Sequence, residues 1–407
     1  MRELRRPLAL LLLLPLLLGG CGPLDEQRRE IKQLRVMEAL GVDAAPGGLR
    51  LSLSGPPLGQ EQQTFVASCA GASLTDALER LGRRQAADQL FCGHMQQLLL
   101  GEEAARQGVE GLLTAVCRSS DLRPDLPLYL IRGGTAEKAM TALAQGDKGV
   151  ADVLRNLAPL EGRSRLSSAR GILLDLEDRG CALIRALRLQ ESTDSRPGAD
   201  TAGGSGPSTE AGDAEAPEGG SSTGADAGGA DASPPVALIP DGFGILVGDR
   251  LVSQIPPEET AAAELLLGEL QPSLLVLRSS DGATATLELE EGSVSLEPGR
   301  DGDGALVSLA LRIRVRAVLL ELDSFRPLSE DRLLGQLEAE LGRQLGSLLQ
   351  RSRELQADFL GLGRLLPLRA RERDLGPLLP GLELQVSVQG ELSHSQDLRQ
   401  EGSHGSA

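Results

Sequence analysis

The sequence predicts an α+β protein of two or three domains, with mixed and antiparallel sheets flanked by helices and a disordered acidic spacer between its two halves. Three observations carry this prediction. The 407 residues exceed the size at which one core usually stops growing. Period-two runs alternate with amphipathic stretches in the first half and gather into a strand-rich block in the second. Between the halves lies a segment with nothing to bury.

The chain opens with Arg2, Arg5 and Arg6, an apolar run over residues 8–18, and then Gly19, Gly20 and Cys21. Eleven apolar residues rise only about 16 Å as a helix, roughly half a hydrocarbon core, so the run is a signal segment and not a membrane span. Small residues directly before a cysteine, with Leu18 three positions ahead of it, form a bacterial lipobox. The thiol is the nucleophile that takes a diacylglyceryl group, and small neighbours let the peptidase close around the bond before Cys21. The expectation is that residues 1–20 are removed and that Cys21, carrying lipid, becomes the first residue of the mature protein. Each buried methylene contributes about 0.8 kcal/mol, so the acyl chains hold the protein on a bilayer surface without crossing it. No later segment reaches the ~18 uninterrupted apolar residues that a span needs.

The elements of the exported chain follow in order. Residues 34–43 and 49–53, separated by a turn-rich stretch at 44–48, alternate as a hairpin does. Ser73 caps a helix whose apolar positions are Leu74, Ala77, Leu78 and Leu81. The run Leu98, Leu99, Leu100 precedes a helix pair beginning near Glu102, then a strand at 127–132 and a helix from Thr135. Residues 191–235 contain nine acids, one base, and no Leu, Ile, Val or aromatic residue, so no burial can offset the entropy of ordering them. They read as a spacer or a surface-loop insertion. Strands follow at 242–247, 250–252, 274–277, 284–289 and 306–322, with polar turns at 247–250 and 300–304 that favour antiparallel hairpins, and a helix begins at Pro257. The longest helix spans about 329–355, its Leu334, Leu337, Leu341, Leu345 and Leu348 forming one stripe for an adjacent sheet or a partner helix. A closing strand at 382–388 precedes a flexible tail from 394 to 407. The units are thus 1–20 signal, 21–190 N-terminal region, 191–235 spacer, 236–393 C-terminal region with a further split near Gln271, and tail.

Composition excludes several functions. The formal charge of −17, nearly half of it in the spacer, gives no basic footprint for nucleic acid. With five Phe, one Tyr and no Trp, stacking platforms and aromatic cages are nearly excluded, and the core is built from Leu, Val, Ile and Ala. Three histidines leave little material for acid–base or metal chemistry. The stretch from Gly242 to Gly248 shares glycines with a phosphate-binding loop, but the third glycine is one position late and no helix starts there, so strand and turn glycines explain it. Cys69, Cys92, Cys117 and Cys181 are too widely spaced for a metal site, and Cys92-Gly93-His94 lacks further ligands. They read either as buried thiols or as two disulfides of undetermined connectivity. The acid pairs Glu102–Glu103 and Glu258–Glu259 sit at helix starts, where the dipole favours them. No catalytic residue, cofactor or metal site emerges, and the chain reads as a non-enzyme.

Several fragments, in order, resemble spore-germination lipoproteins of the GerAC type. They are the lipobox at Cys21, Arg29-Glu30-Ile31, the run from Ala39 to Asp43, Gly93-His94, and the run from Gly101 to Ala104 with Gly108. The strand from Leu128 to Ile131, Gly134-Thr135-Ala136-Glu137 and Glu258-Glu259-Thr260 continue the order, and Asp358-Phe359-Leu360-Gly361-Leu362-Gly363-Arg364 gives an Asp-x-x-Gly-x-Gly-like signature. The departures are Gly22 after the cysteine, where the family often has an aromatic residue, leucines in place of aromatics elsewhere, and a longer spacer. The resemblance implies the C subunit of a nutrient germinant receptor, lipid-anchored on the outer face of a spore's inner membrane. Its partners would be the receptor's A and B membrane subunits and the membrane itself, with no nucleic acid. The competing reading is a transporter's substrate-binding lipoprotein, which would show one deep cleft between two similar lobes.

Overall fold

The computed structural model of the chain describes residues 34–57, 64–84, 89–146, 149–157, 168–191, 236–279, 282–322, 329–367 and 375–394. The signal segment, Cys21, the spacer after Glu191 and the tail after His394 lie outside the described residues.

The first half contains strands β1 (Leu34–Val36), β2 (Ala39–Ala45), β3 (Gly48–Gly55), β4 (Phe65–Gly71), β5 (Gln89–Phe91), β6 (Gln97–Gly101), β7 (Leu128–Arg132) and β8 (Cys181–Glu191). Its helices are α1 (Leu74–Arg84), α2 (Glu102–Gln107), α3 (Glu110–Arg118), α4 (Ala136–Ala144), α5 (Val150–Leu157) and α6 (Ala169–Arg179). After the spacer come β9 (Val236–Val247), β10 (Arg250–Ile255), a 3-10 turn at Pro257–Glu259, and α7 (Thr260–Leu267). Then follow β11 (Ser273–Arg278), β12 (Thr284–Arg300), β13 (Leu306–Leu322), α8 (Glu330–Leu355), the short α9 (Leu362–Leu365) and β14 (Glu383–His394).

An eight-stranded sheet runs in the order β10-β9-β8-β7-β6-β2-β3-β4, with β2, β6, β7 and β8 parallel and both margins antiparallel. Parallel strands are buried on both faces and read as continuous apolar runs. Here Leu98, Leu100, Leu128 and Leu130 meet α1, α2, α3 and α6 on one face. Leu99, Tyr129 and Ile131 meet α4 and α5 on the other.

The expected first hairpin is modified, and the spacer falls between two neighbouring strands of one sheet. The run from Leu34 divides: β1 pairs in parallel with β5, and only from Ala39 does the chain pair with β3, because Met37 N donates to Phe91 O and Glu38 N to Ser54 O. The spacer leaves and re-enters one sheet, since β8 and β9 are antiparallel neighbours with Glu191 opposite Val236. The chain leaves this sheet at Ile255 and starts the next at Ser273, on either side of Gln271.

The second sheet has the order β11-β12-β13-β14. The long β12 and β13 form an antiparallel hairpin, and β14 returns parallel to β13 after the crossover through α8. The α8 stripe packs on this sheet: Leu337, Leu341, Leu345 and Leu348 are fully buried, while Leu334 is half-buried and Leu333 takes the buried place beside it. That core also contains Cys181, Leu183, Phe243 and Ile245 of the first sheet, so the two sheets share one apolar interior. The strand β14 extends to His394, opposite Leu319.

The parallel layer is fastened by Asp43, at the end of β2. Its carboxylate accepts from Ala136 N at 2.7 Å and Glu137 N at 2.9 Å, tying the start of α4 to the sheet. Burial pushes this carboxyl above its usual range against those two donors. Gly101 leaves the space, because a Cβ there would lie 2.1 Å from Asp43 Oδ1. Glu102 then accepts from Gly133 N at 2.7 Å, and Glu137 accepts from Ser68 Oγ. Three fragments distant in sequence thus meet at one buried carboxylate. Urea denaturation should show Asp43→Ala and Gly101→Ala each destabilising the protein by about 2 kcal/mol, the first through unsatisfied helix donors and the second through displacement of the carboxylate. Unchanged midpoints for both variants would contradict this account.

Candidate functional site

The strongest concentration of buried charge lies where α6 of the first half meets the segment following α8. Asp358 sits in a tight turn after α8, only 4% exposed, and its carboxylate reaches forward over the turn. Oδ1 accepts from Leu362 N at 2.7 Å and Oδ2 from Gly363 N at 2.8 Å. The spacing Asp-x-x-Gly-x-Gly follows from this geometry. Gly361 takes a φ of +71°, which other residues adopt only with strain, and Gly363 presents its N–H at a point where a Cβ would come within 3.2 Å of the same carboxylate. The intervening Phe359, Leu360 and Leu362 are fully buried and anchor the turn in the shared core.

The turn is clasped from the other half of the chain. Arg179, at the end of α6, donates Nη1 to Asp358 O at 2.7 Å and Nη2 to Asp175 Oδ2 at 2.7 Å. Arg364 closes the ring from the opposite side, donating to Asp175 Oδ1 at 2.6 Å and to Asp178 Oδ2 at 3.1 Å. Asp175 is 2% exposed and is therefore an ion that must be paired where it stands. A second cross-link joins β8 to α7, where Arg185 Nη1 meets Glu264 Oε1 at 2.7 Å. Arg351 of α8 pairs with the buried Glu259 at 2.9 Å, so the acid pair at 258–259 serves packing as well as the helix start.

A cavity of about 750 Å³ opens beside the Arg185–Glu264 pair, where the face of β7, β8 and β9 meets α7, β11 and α8. Reactive groups elsewhere are dispersed. Cys69, Cys92, Cys117 and Cys181 are all free thiols, which resolves the two sequence readings in favour of unpaired cysteines. Burial, helped by Asp121, pushes the Cys92 thiol up to about 11, away from nucleophilic use. His94 is exposed beside it. Gly242 lies within β9 and Gly248 in the β9–β10 turn, as strand and turn glycines. Among the described residues no group of three or more His, Cys, Asp or Glu side chains is placed to hold a metal ion, and no helix is long and apolar enough to cross a membrane. Cys21, the one residue to which the sequence assigns a chemical role, lies outside the described residues. The clasp at Asp175 was not legible beforehand, because α6 carries no motif and its partner Arg364 lies far along the chain.

Burial pushes the Asp358 carboxyl up to about 6, against the opposing pull of the two backbone N–H groups and of Arg179 and Arg364. An acid whose folded-state value exceeds its unfolded one holds its proton more tightly in the native protein. Its contribution to stability therefore rises as pH falls from about 6 toward 3.8 and is flat outside that window. Over this window the native chain should gain stability on acidification relative to Asp358→Asn, by at most about 3 kcal/mol in urea titrations. Parallel stability curves for the two proteins would remove the assignment.

Two family models match the chain: the spore germination protein N-terminal domain over residues 27–181, and the spore germination B3/GerAC-like C-terminal domain over residues 241–394. Among solved structures, the crystal structure of the GerBC protein is similar, with a TM-score of 0.50 and 15% identity over 87% of this chain and 96% of that one. At that identity the likeness speaks for the fold. No curated protein matches the sequence significantly. Asp175 and Arg179 fall in the first matched region and Asp358 and Arg364 in the second, so the clasp joins the two. The chain belongs to the GerAC family of spore-germination proteins, the C subunits of germinant receptors.

Proposed function

We propose that this C subunit is a lipoprotein anchored through Cys21 on the outer face of the spore's inner membrane, and that it assembles noncovalently there with the receptor's A and B membrane subunits during nutrient-triggered germination. The observation that carries the reading is the order basic residues, short apolar run, Leu18-Gly19-Gly20-Cys21 at the start of a chain of this family. Twelve residues lie between Cys21 and Leu34, the start of β1, so the two can be at most about 45 Å apart. Lipid attachment would confine the folded body to this distance from the bilayer. Confinement raises its effective concentration beside membrane partners, so modest interfaces suffice for assembly. The work of the subunit in this reading is recognition and scaffolding, with no covalent chemistry.

The competing reading, a transporter's binding lipoprotein, calls for two similar lobes. An eight-stranded mixed sheet and a four-stranded sheet covered by one long helix are unlike in size and topology, which favours the receptor subunit. Replacing Cys21 by Ala should move the protein from the membrane to the soluble fraction and abolish germination by nutrients, while germination by agents that bypass the receptor stays intact. Full nutrient response from spores whose Cys21→Ala protein is entirely soluble would sink the proposal.

A further inference from the structure

The cavity of about 750 Å³ between the two sheets falls within the size range of small-molecule sites and lies at a junction between regions, where such sites concentrate. Its wall draws on both halves of the chain, including Tyr129 of β7, Arg185 of β8, Ser273 of β11 and Gln344 of α8. Three residues of this wall carry buried polar atoms without a hydrogen-bond partner: Tyr129 Oη, Ser273 Oγ and Gln344 Oε1. Tyr129 is 2% exposed and Gln344 1%. Buried hydroxyl and amide oxygens are nearly always partnered in native proteins, so three on one cavity point to a ligand that engages them.

The chemistry of the wall narrows that ligand. All three unpartnered atoms can accept a hydrogen bond, and Gln344 Oε1 can do nothing else, since the amide nitrogen of Gln344 already donates to Glu340 Oε1 at 2.8 Å. The carboxylates on the wall are Glu258, Glu264 and Glu340, against the single guanidinium of Arg185, which is itself engaged by Glu264. Arg343 beside Glu340 holds that carboxyl below its usual range, keeping it charged at neutral pH. Thr260 and Gln271 add polar groups, and the remainder is largely aliphatic, including Leu187, Ala261, Leu275 and Val276. Tyr129 is the one aromatic ring, which is no cage for a quaternary ammonium. We propose that this cavity binds a small primary ammonium ion carried on a branched aliphatic body. The ammonium has donors and no acceptor, matching a wall whose free atoms accept and whose charge is negative. A carboxylate of the same shape would meet Glu258 and a wall of net negative charge, and would leave Gln344 Oε1 unserved.

Three isosteric probes separate the possibilities: 3-methylbutylamine, 3-methylbutan-1-ol and 3-methylbutanoate, each titrated at pH 7 and constant ionic strength into the full chain kept soluble in detergent. The Leu275 and Val276 methyl signals report occupancy by NMR. The amine should give saturable shifts with an affinity at least tenfold above the alcohol's, and the carboxylate should give none. Gln344→Leu, which removes the orphaned acceptor at similar volume, should weaken the amine at least tenfold. Ser273→Ala, on an edge strand at a half-buried position, provides a second variant with little demand on folding and should weaken it several-fold. Equal responses to amine and carboxylate, absence of saturation with any probe, or amine affinity unchanged in both variants would overturn the proposal.

Discussion

A carboxylate taken out of water must be given donors in place of those it leaves behind, and most of this fold can be understood from where those donors come from. Asp43, Asp175, Asp358 and Glu264 are all buried. Each is satisfied by groups from a different part of the chain or from its own glycine-containing turn. Asp43 gathers β2, α4 and the glycine at the end of β6. Asp175 gathers α6 and the segment after α8, and Glu264 links α7 to β8. Apolar burial supplies the bulk of the stability, but it is non-directional; these ions decide which surfaces meet.

The consequence for function is a body whose two family-matched regions are joined by a shared core and by paired charges. The core holding Phe243, Ile245, Leu265, Leu341 and Phe359 runs through both sheets. The cavity of about 750 Å³ also lies at that join, where small changes in how the halves meet would alter its shape.

Much of the architecture was legible because it depends on local pattern. Four of the five leucines of the α8 stripe, the helix beginning at Thr135 and the turns at 247–250 and 300–304 were read correctly from spacing and turn chemistry. The misses lie where long-range contacts decide or the local pattern is weak. The strand β4 and the helices α5 and α6 were not anticipated, nor was β8, which mixes Arg185 and Arg188 into an apolar run and thereby blurs both periods. Those arginines belong there because Glu264 and Asp241 meet them from elsewhere in the chain. Likewise, the free state of the four cysteines depends on their positions in space, which spacing does not report.

The sequence by itself determined the fold class, the family and the order of most elements, because each of these is written in residues close together along the chain. Only the tertiary structure decided that the spacer interrupts two neighbouring strands of one sheet, that the Asp358 signature is a turn clasped by Arg179, and that Tyr129, Ser273 and Gln344 share a cavity. The reason is physical. Propensity and periodicity act over a few residues, whereas pairing a buried ion or closing a sheet is a contact between distant segments, specified jointly by both and visible in neither alone.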